Sequence, residues 1–226
     1  MKLQTILDYL SLLEQNNNRE WFHANKSLYQ EASQEFEGLI RELTASLLEI
    51  GENIPLLEPK ELMFKLTRDT RFSHDKSPYR PAFRAHISAK GKQPIPVGYY
   101  LMIRPGGHSF LGGGLFADMF KDATAMVREA IASHSDEWQE IITNPNFAEY
   151  FIVHGTTLKN VPRGYDPAHP QAEFLKNKSW FLEYTIPDKQ LLEADFPAFA
   201  AGIFQRMQPF NAFLNRALET FQMPAR

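Results

Sequence analysis

The hydrophobic period of this chain changes twice along its length, and that change limits what it can fold into. Leu3, Ile6, Leu7, Leu10 and Leu13 recur at helical spacing before Asn16, Asn17 and Asn18 break the pattern. A second, longer helix is predicted from about Ser27, where SLYQ has the Ser-x-x-Gln form of a capping box. Its stripe is Leu28, Ala32, Phe36, Leu39, Ile40, Leu43 and Leu47, and it ends at GENIP. The period then falls to two. Leu62, Phe64 and Leu66 alternate with Glu61, Met63 and Lys65, and Phe83, Ala85, Ile87 and Ala89 with Arg84, His86, Ser88 and Lys90. Val97, Tyr99, Leu101 and Ile103 alternate with Gly98, Tyr100, Met102 and Arg104. Each run reads as a strand with one face on a core. RPGGHS forms a hairpin turn, because adjacent glycines accept positive φ, and SFLGGGLF is a further strand distorted at Gly112 to Gly114. Such short connections leave no room for helical crossovers, so an antiparallel meander is expected.

Helical spacing returns with Phe120, Ala123, Met126, Val127, Ala130 and Ile131, and a short helix is predicted in SDEWQEII. Residues 144–178, with four prolines and Gly164, read as mostly irregular; SWFLEYTIP is a final strand. A last helix carries Phe196, Phe199, Ile203, Phe204, Met207, Phe210, Phe213, Leu214 and Leu218, a stripe wide enough for a core, with Pro209 expected to kink it. The fold class is therefore α+β: one domain over residues 1–226, an antiparallel sheet covered by helices on one face, with helical ends.

Charge is unevenly placed. Residues 60–92 carry nine Lys and Arg against three acids, a net of +6, while the remainder carries 15 basic against 24 acidic residues, a net of −9. A basic island on an acidic body points to a local anion site rather than a general polyanion-binding surface. The chain has no cysteine, so disulfides and thiolate chemistry are excluded. No run approaches a membrane span and the first residues lack a leader pattern, so a cytoplasmic protein with no membrane association is expected.

The centre of the island is KLTRDTRFSHDKSPYRPAFR, residues 65–84. Residues 67–80 follow neither period and form a loop of about fourteen residues, uncommonly long without a purpose. Ser77-Pro78 and Arg80-Pro81 stiffen it by holding the residues before proline extended. Arg68, Arg71 and Arg84 are placed for capture of a phosphate or carboxylate by planar guanidinium groups, with Lys76 and Arg80 adding charge. Asp69 and Asp75 are candidates to orient the arginines. His74, beside Asp75, is the best acid or base candidate if a reaction occurs, with Asp75 itself the second. With neighbouring strands in register, Lys65, Arg84, His86, Tyr100 and Arg104 would share the face beside this loop.

The segments TRDTRFSHDKSPYR, GYYLMIRPGG with GGGLF, and LKNVPRGYDPAHP resemble, in order and across nearly the whole chain, those of a bacterial family catalogued as a domain of unknown function. The resemblance implies one α+β domain over about residues 1–222 and brings no reaction or cofactor with it. Where the family pattern leads one to expect W-x-P after the glycines, this chain has LFADM. The third segment adds Lys159, Arg163 and Tyr165 to the ligand-binding candidates, with Asp166 and His169 beside them.

Other motifs fail. Neither a P-loop nor a dinucleotide fingerprint is present, and GHSFLG lacks the second glycine of a nucleophile elbow at Leu111, which sets Ser109 aside. The seven histidines contain no metal-binding pair motif, so no metal site is expected. The leading expectation is a small phosphorylated or carboxylated ligand held by Arg68, Arg71, Lys76, Arg80 and Arg84. Single-stranded nucleic acid, stacked on Phe72 and Tyr79, is the alternative, and a non-enzymatic interaction module the third. Cofactor and oligomeric state stay open.

Overall fold

The computed structural model describes residues 1–224. The chain begins with α1 (Leu3–Gln15), α2 (Arg19–Ala24) and α3 (Lys26–Glu49), followed by the single turn α4 (Pro59–Leu62). Strands β1 (Phe83–Ile87), β2 (Gly98–Ile103) and β3 (Ser109–Leu115) come next. Helices α5 (Lys121–Ser133), α6 (Ser135–Thr143), α7 (Pro145–Ala148) and α8 (Ala172–Leu175) separate them from β4 (Trp180–Ile186), and α9 (Asp188–Leu191) and α10 (Phe196–Ala217) complete the order. The four strands form one antiparallel sheet in sequence order, β1-β2-β3-β4, as a meander requires. The α+β class read from the two periods is therefore correct.

The chain divides into two compact units, the first comprising residues 1–92, 100–111 and 185–202, the second residues 93–99, 112–184 and 203–226. In the first unit α1 buries Leu3, Ile6, Leu7, Tyr9, Leu10 and Leu13 and packs on α3, whose buried stripe includes Phe36, Leu39, Ile40 and Leu43. Tyr9 apart, these are residues the helical spacing picked out; Leu28, also in that stripe, stays exposed. Phe83 joins them, 5.2 Å from Phe36 between ring centroids. Each such fully buried side chain contributes about 1.5–3 kcal/mol.

Two local readings are corrected. The capping box at Ser27 is not used: α3 starts at Lys26, because α2 occupies the preceding turns and the chain runs on through Asn25. The cap belongs to Asn18, whose side chain accepts from the Trp21 N–H at 2.8 Å. Residues 62–66 do not form a strand. Leu62 closes α4, and only Met63 bridges to Ala85, with Phe64 N–H donating to Arg84 O at 2.9 Å. That short pairing still covers the outer side of β1, much as the His154–Phe181 bridge covers β4, so neither edge is left as a bare template.

The β2–β3 turn is the expected glycine hairpin. Gly106 and Gly107 have φ of 81° and 75°, and their N–H groups donate to the Asp188 carboxylate at 2.8 and 2.9 Å. In the second unit the GGG segment serves close packing. A Cβ on Gly113 would stand 3.0 Å from Met207 Sδ, and one on Gly114, at φ 90°, would overlap the Trp180 carbonyl oxygen and the Phe210 ring. The α10 stripe of Ile203, Phe204, Met207 and Phe210 is buried there, with Trp138 packed against Phe210 and Phe213. Pro209 lies inside the helix. Gly114→Ala is expected to lower unfolding free energy by about 2–4 kcal/mol in denaturant titration, through both strain and overlap. Gly107→Ala should lose less, since an added Cβ there meets nothing within 4 Å and only its φ is at stake.

Candidate functional site

Three asparagines end α1, and the middle one fixes the arginine loop. Asn17 Nδ2 donates to Tyr79 O at 2.9 Å, and Tyr79 N–H donates to Asn17 Oδ1 at 3.0 Å. One side-chain amide thus satisfies both backbone groups of a buried residue 62 positions away. The Tyr79 ring stacks on Phe22 of α2 with centroids 4.2 Å apart and planes 15° apart. A short ladder closes the loop at its base: Thr67 bridges to Tyr79, Arg68 N–H donates to Pro78 O at 2.9 Å, and Arg80 N–H to Leu66 O at 2.8 Å. Residues 69–77 are left as a tip. There Lys76 Nζ donates back to Thr70 O at 3.0 Å, and Ser77 N–H to Asp75 Oδ1 at 2.9 Å.

Beneath the tip lies a cleft of about 530 Å³, lined among others by Asn17, Arg68, Asp75, Arg80 and Arg104. Arg68 is paired with Asp75 and also donates to Ser73 Oγ at 3.3 Å. Arg104 is paired with Glu14 at 3.1 Å. Among the described residues Arg80 has no carboxylate partner. Arg80 is exposed as a residue, and its pKa is lowered from the ordinary arginine value, first by partial desolvation at the cleft and then by the charges of Arg84, Arg68 and Arg104. Four guanidinium groups therefore act on one another here, and the like-charge repulsion falls on Arg80. Asp75 is held far below the usual carboxylate range by hydrogen bonds from Ser77 and then by Arg68, so it stays ionised.

Arg84, on β1, reaches toward this region along an aromatic face. Its guanidinium lies 5.2 Å from the Phe64 ring centroid, Phe64 stands 6.0 Å from Tyr100, and Tyr100 5.5 Å from Phe110. Where Lys65, Arg84, His86, Tyr100 and Arg104 were expected to share a face beside the loop, Arg84 and Tyr100 join a row of rings with Phe64 and Phe110, and His86 is buried.

The remaining candidates lie elsewhere. Arg71 is held by Asp69, with Nε and Nη2 donating to its carboxylate at 3.0 and 2.6 Å, and does not line the cleft. His74 is exposed on the tip. Tyr79, expected as a stacking residue for nucleic acid, is buried against Phe22 and is closed to a ligand. Lys159, Arg163 and Tyr165 belong to the second unit. There burial and the Glu129 carboxylate raise the Tyr165 pKa. His169 spends both ring nitrogens on the backbone, at Ala132 O and Gln171 N–H. Among the described residues no cluster of three His, Asp or Glu is arranged to hold a metal ion. No helix among them is long and apolar enough to cross a membrane.

Sequence reasoning missed Glu14 and Asn17. The asparagine triplet was legible as a helix stop, but an amide bridging 62 residues leaves no local signal.

The model of the family described as Conserved hypothetical protein (DUF2461) matches residues 5–213, a span that takes in the whole loop and every residue named in the cleft. The chain belongs to that family. No curated protein and no solved structure matches it. In this DUF2461 member the cleft is thus described by its own geometry.

Asn17→Ala leaves the Tyr79 backbone without its partners, and is expected to lower stability by about 2 kcal/mol while speeding amide exchange at Tyr79. The Asp75 pKa is depressed on folding, so its contribution is present above the carboxylate's unfolded pKa and fades as pH falls through its folded value. Asp75→Asn is therefore expected to flatten the acid limb of a plot of melting temperature against pH.

Proposed function

We propose that the cleft binds a small anionic ligand through a phosphate or carboxylate group. Arg80 is the observation that carries this reading: a guanidinium lining the cleft, without a carboxylate partner among the described residues, whose charge Arg68, Arg84 and Arg104 all oppose. An anion there relieves the repulsion and gains charge-assisted hydrogen bonds. Asp75 and Glu14 are acceptors for Arg68 and Arg104, and their part is to hold those forks in position, not to quench Arg80. Asn17 and the loop ladder keep the niche formed before the ligand arrives, which limits the ordering entropy of binding.

The reading is one of binding. Asp75 is too acidic to take up a proton near neutrality, and His74 stands outside the cleft. Arg71 contributes at most to the field around the tip, and Lys76 braces the tip through Thr70. Lys159, Arg163 and Tyr165 do not line the cleft.

Inorganic phosphate is the simplest probe, titrated calorimetrically at low salt. The parent is expected to bind it, and Arg80→Gln to weaken binding by roughly tenfold or more. The same variant should melt no lower than the parent without phosphate, because it removes a like charge from a crowded site. A variant that unfolds, or binds phosphate as well as the parent, would count against Arg80 as the ligand-bearing group.

A further inference from the structure

The loop tip presents a side chain that anion capture alone leaves unused. Phe72 is 96% exposed, the most open of the large apolar residues among those described. Its surroundings are ionic. The Arg71 guanidinium lies 5.9 Å from the ring centroid and is held in place by Asp69. The next residue, Ser73, accepts from Arg68 Nη2 at 3.3 Å, and Arg68 lines the cleft. An exposed ring is therefore one residue step, roughly 4 Å of chain, from the partner of a cleft guanidinium. The tip is braced rather than loose, since Lys76 and Asp75 both tie it to backbone groups.

We propose that the ligand of this site is a nucleotide, with its phosphate at Arg80 and its base stacked on Phe72. The inference rests on the anion-binding reading of the cleft and adds the ring to it. A phosphate alone uses the guanidinium groups and leaves Phe72 in water. A nucleotide carries both a charge for the cleft and a flat π-face for the ring, and the Arg71 cation beside Phe72 favours stacking of an electron-rich base. A cleft of about 530 Å³ lies within the usual range for small-molecule sites.

The test compares inorganic phosphate, adenosine monophosphate and a ten-residue oligothymidylate by isothermal titration on the parent, Phe72→Ala and Phe72→Trp. Adenosine monophosphate is expected to bind the parent roughly five- to a hundredfold more tightly than phosphate. Phe72→Ala should erase that excess without changing phosphate affinity, and Phe72→Trp should keep it. An oligothymidylate that displaces the mononucleotide with steep salt dependence assigns the nucleotide to a strand; failure to displace it assigns a free nucleotide. Adenosine monophosphate binding no tighter than phosphate, or unchanged by Phe72→Ala, overturns the inference and leaves the phosphate cleft standing. Absence of phosphate binding by the parent removes the cleft reading, and the nucleotide with it.

Discussion

Two hydrogen bonds from one amide set the geometry of the whole candidate site. Asn17 holds both the N–H and the carbonyl of Tyr79, and through them the returning limb of a loop that carries three arginines and a lysine. Without a fixed limb, Arg68 and Arg80 would minimise their repulsion by moving apart into solvent. The Phe22–Tyr79 stack works in the same direction, since it anchors the limb to α2 by apolar contact as well as by hydrogen bonds. Both ends of the anchor are rigid: α1 ends at the asparagines, and the Thr67–Tyr79 bridge pairs the limb with the outgoing strand. Like charges stay close because the neutral Asn17–Tyr79 and Phe22–Tyr79 contacts hold the limb while Asp75 and Glu14 hold Arg68 and Arg104.

The loop also shows that counting basic residues overstates free charge. Of the arginines anticipated as ligands, Arg68 and Arg71 each have an aspartate from the same loop; Arg104, which also lines the cleft, has a glutamate from α1. Exposed pairs such as Arg71–Asp69 add little stability, and their role is to fix side-chain direction. What distinguishes Arg80 is not its own charge but the company it keeps. Three neighbouring cations act on it, and the two carboxylates of the cleft, Asp75 and Glu14, are paired with Arg68 and Arg104 instead.

Most of the architecture was legible in the sequence because periodicity reports burial directly. The α1 and α10 stripes, the four strands and the glycine hairpin were read correctly from residues such as Leu10, Phe210, Leu101 and Gly106. The failures are local. Residues 62–66 alternate well enough for a strand, yet Pro59 with the Glu58–Glu61 capping box starts a helical turn that takes Leu62 out of the ladder. Ser27 lost its cap to Asn18, because a short helix fits between them. The site was legible as composition, not as constellation. Charge density marked the loop, but which arginine lacks a partner depends on Glu14, Asn17 and Arg104, contributed by segments far apart in the chain. The PRGYD segment looked equally suited to anions, and its Tyr165 instead lies against Arg128 and Glu129 in the second unit.

The central claim is that Arg80 stands ready for an anion in a preformed cleft. A crystal structure of the protein grown with phosphate tests it most directly. The account predicts tetrahedral density within hydrogen-bond distance of Arg80, with the Asn17–Tyr79 pair intact and Arg68 still on Asp75. A cleft without density at saturating phosphate, with Arg80 turned into bulk water, would contradict it.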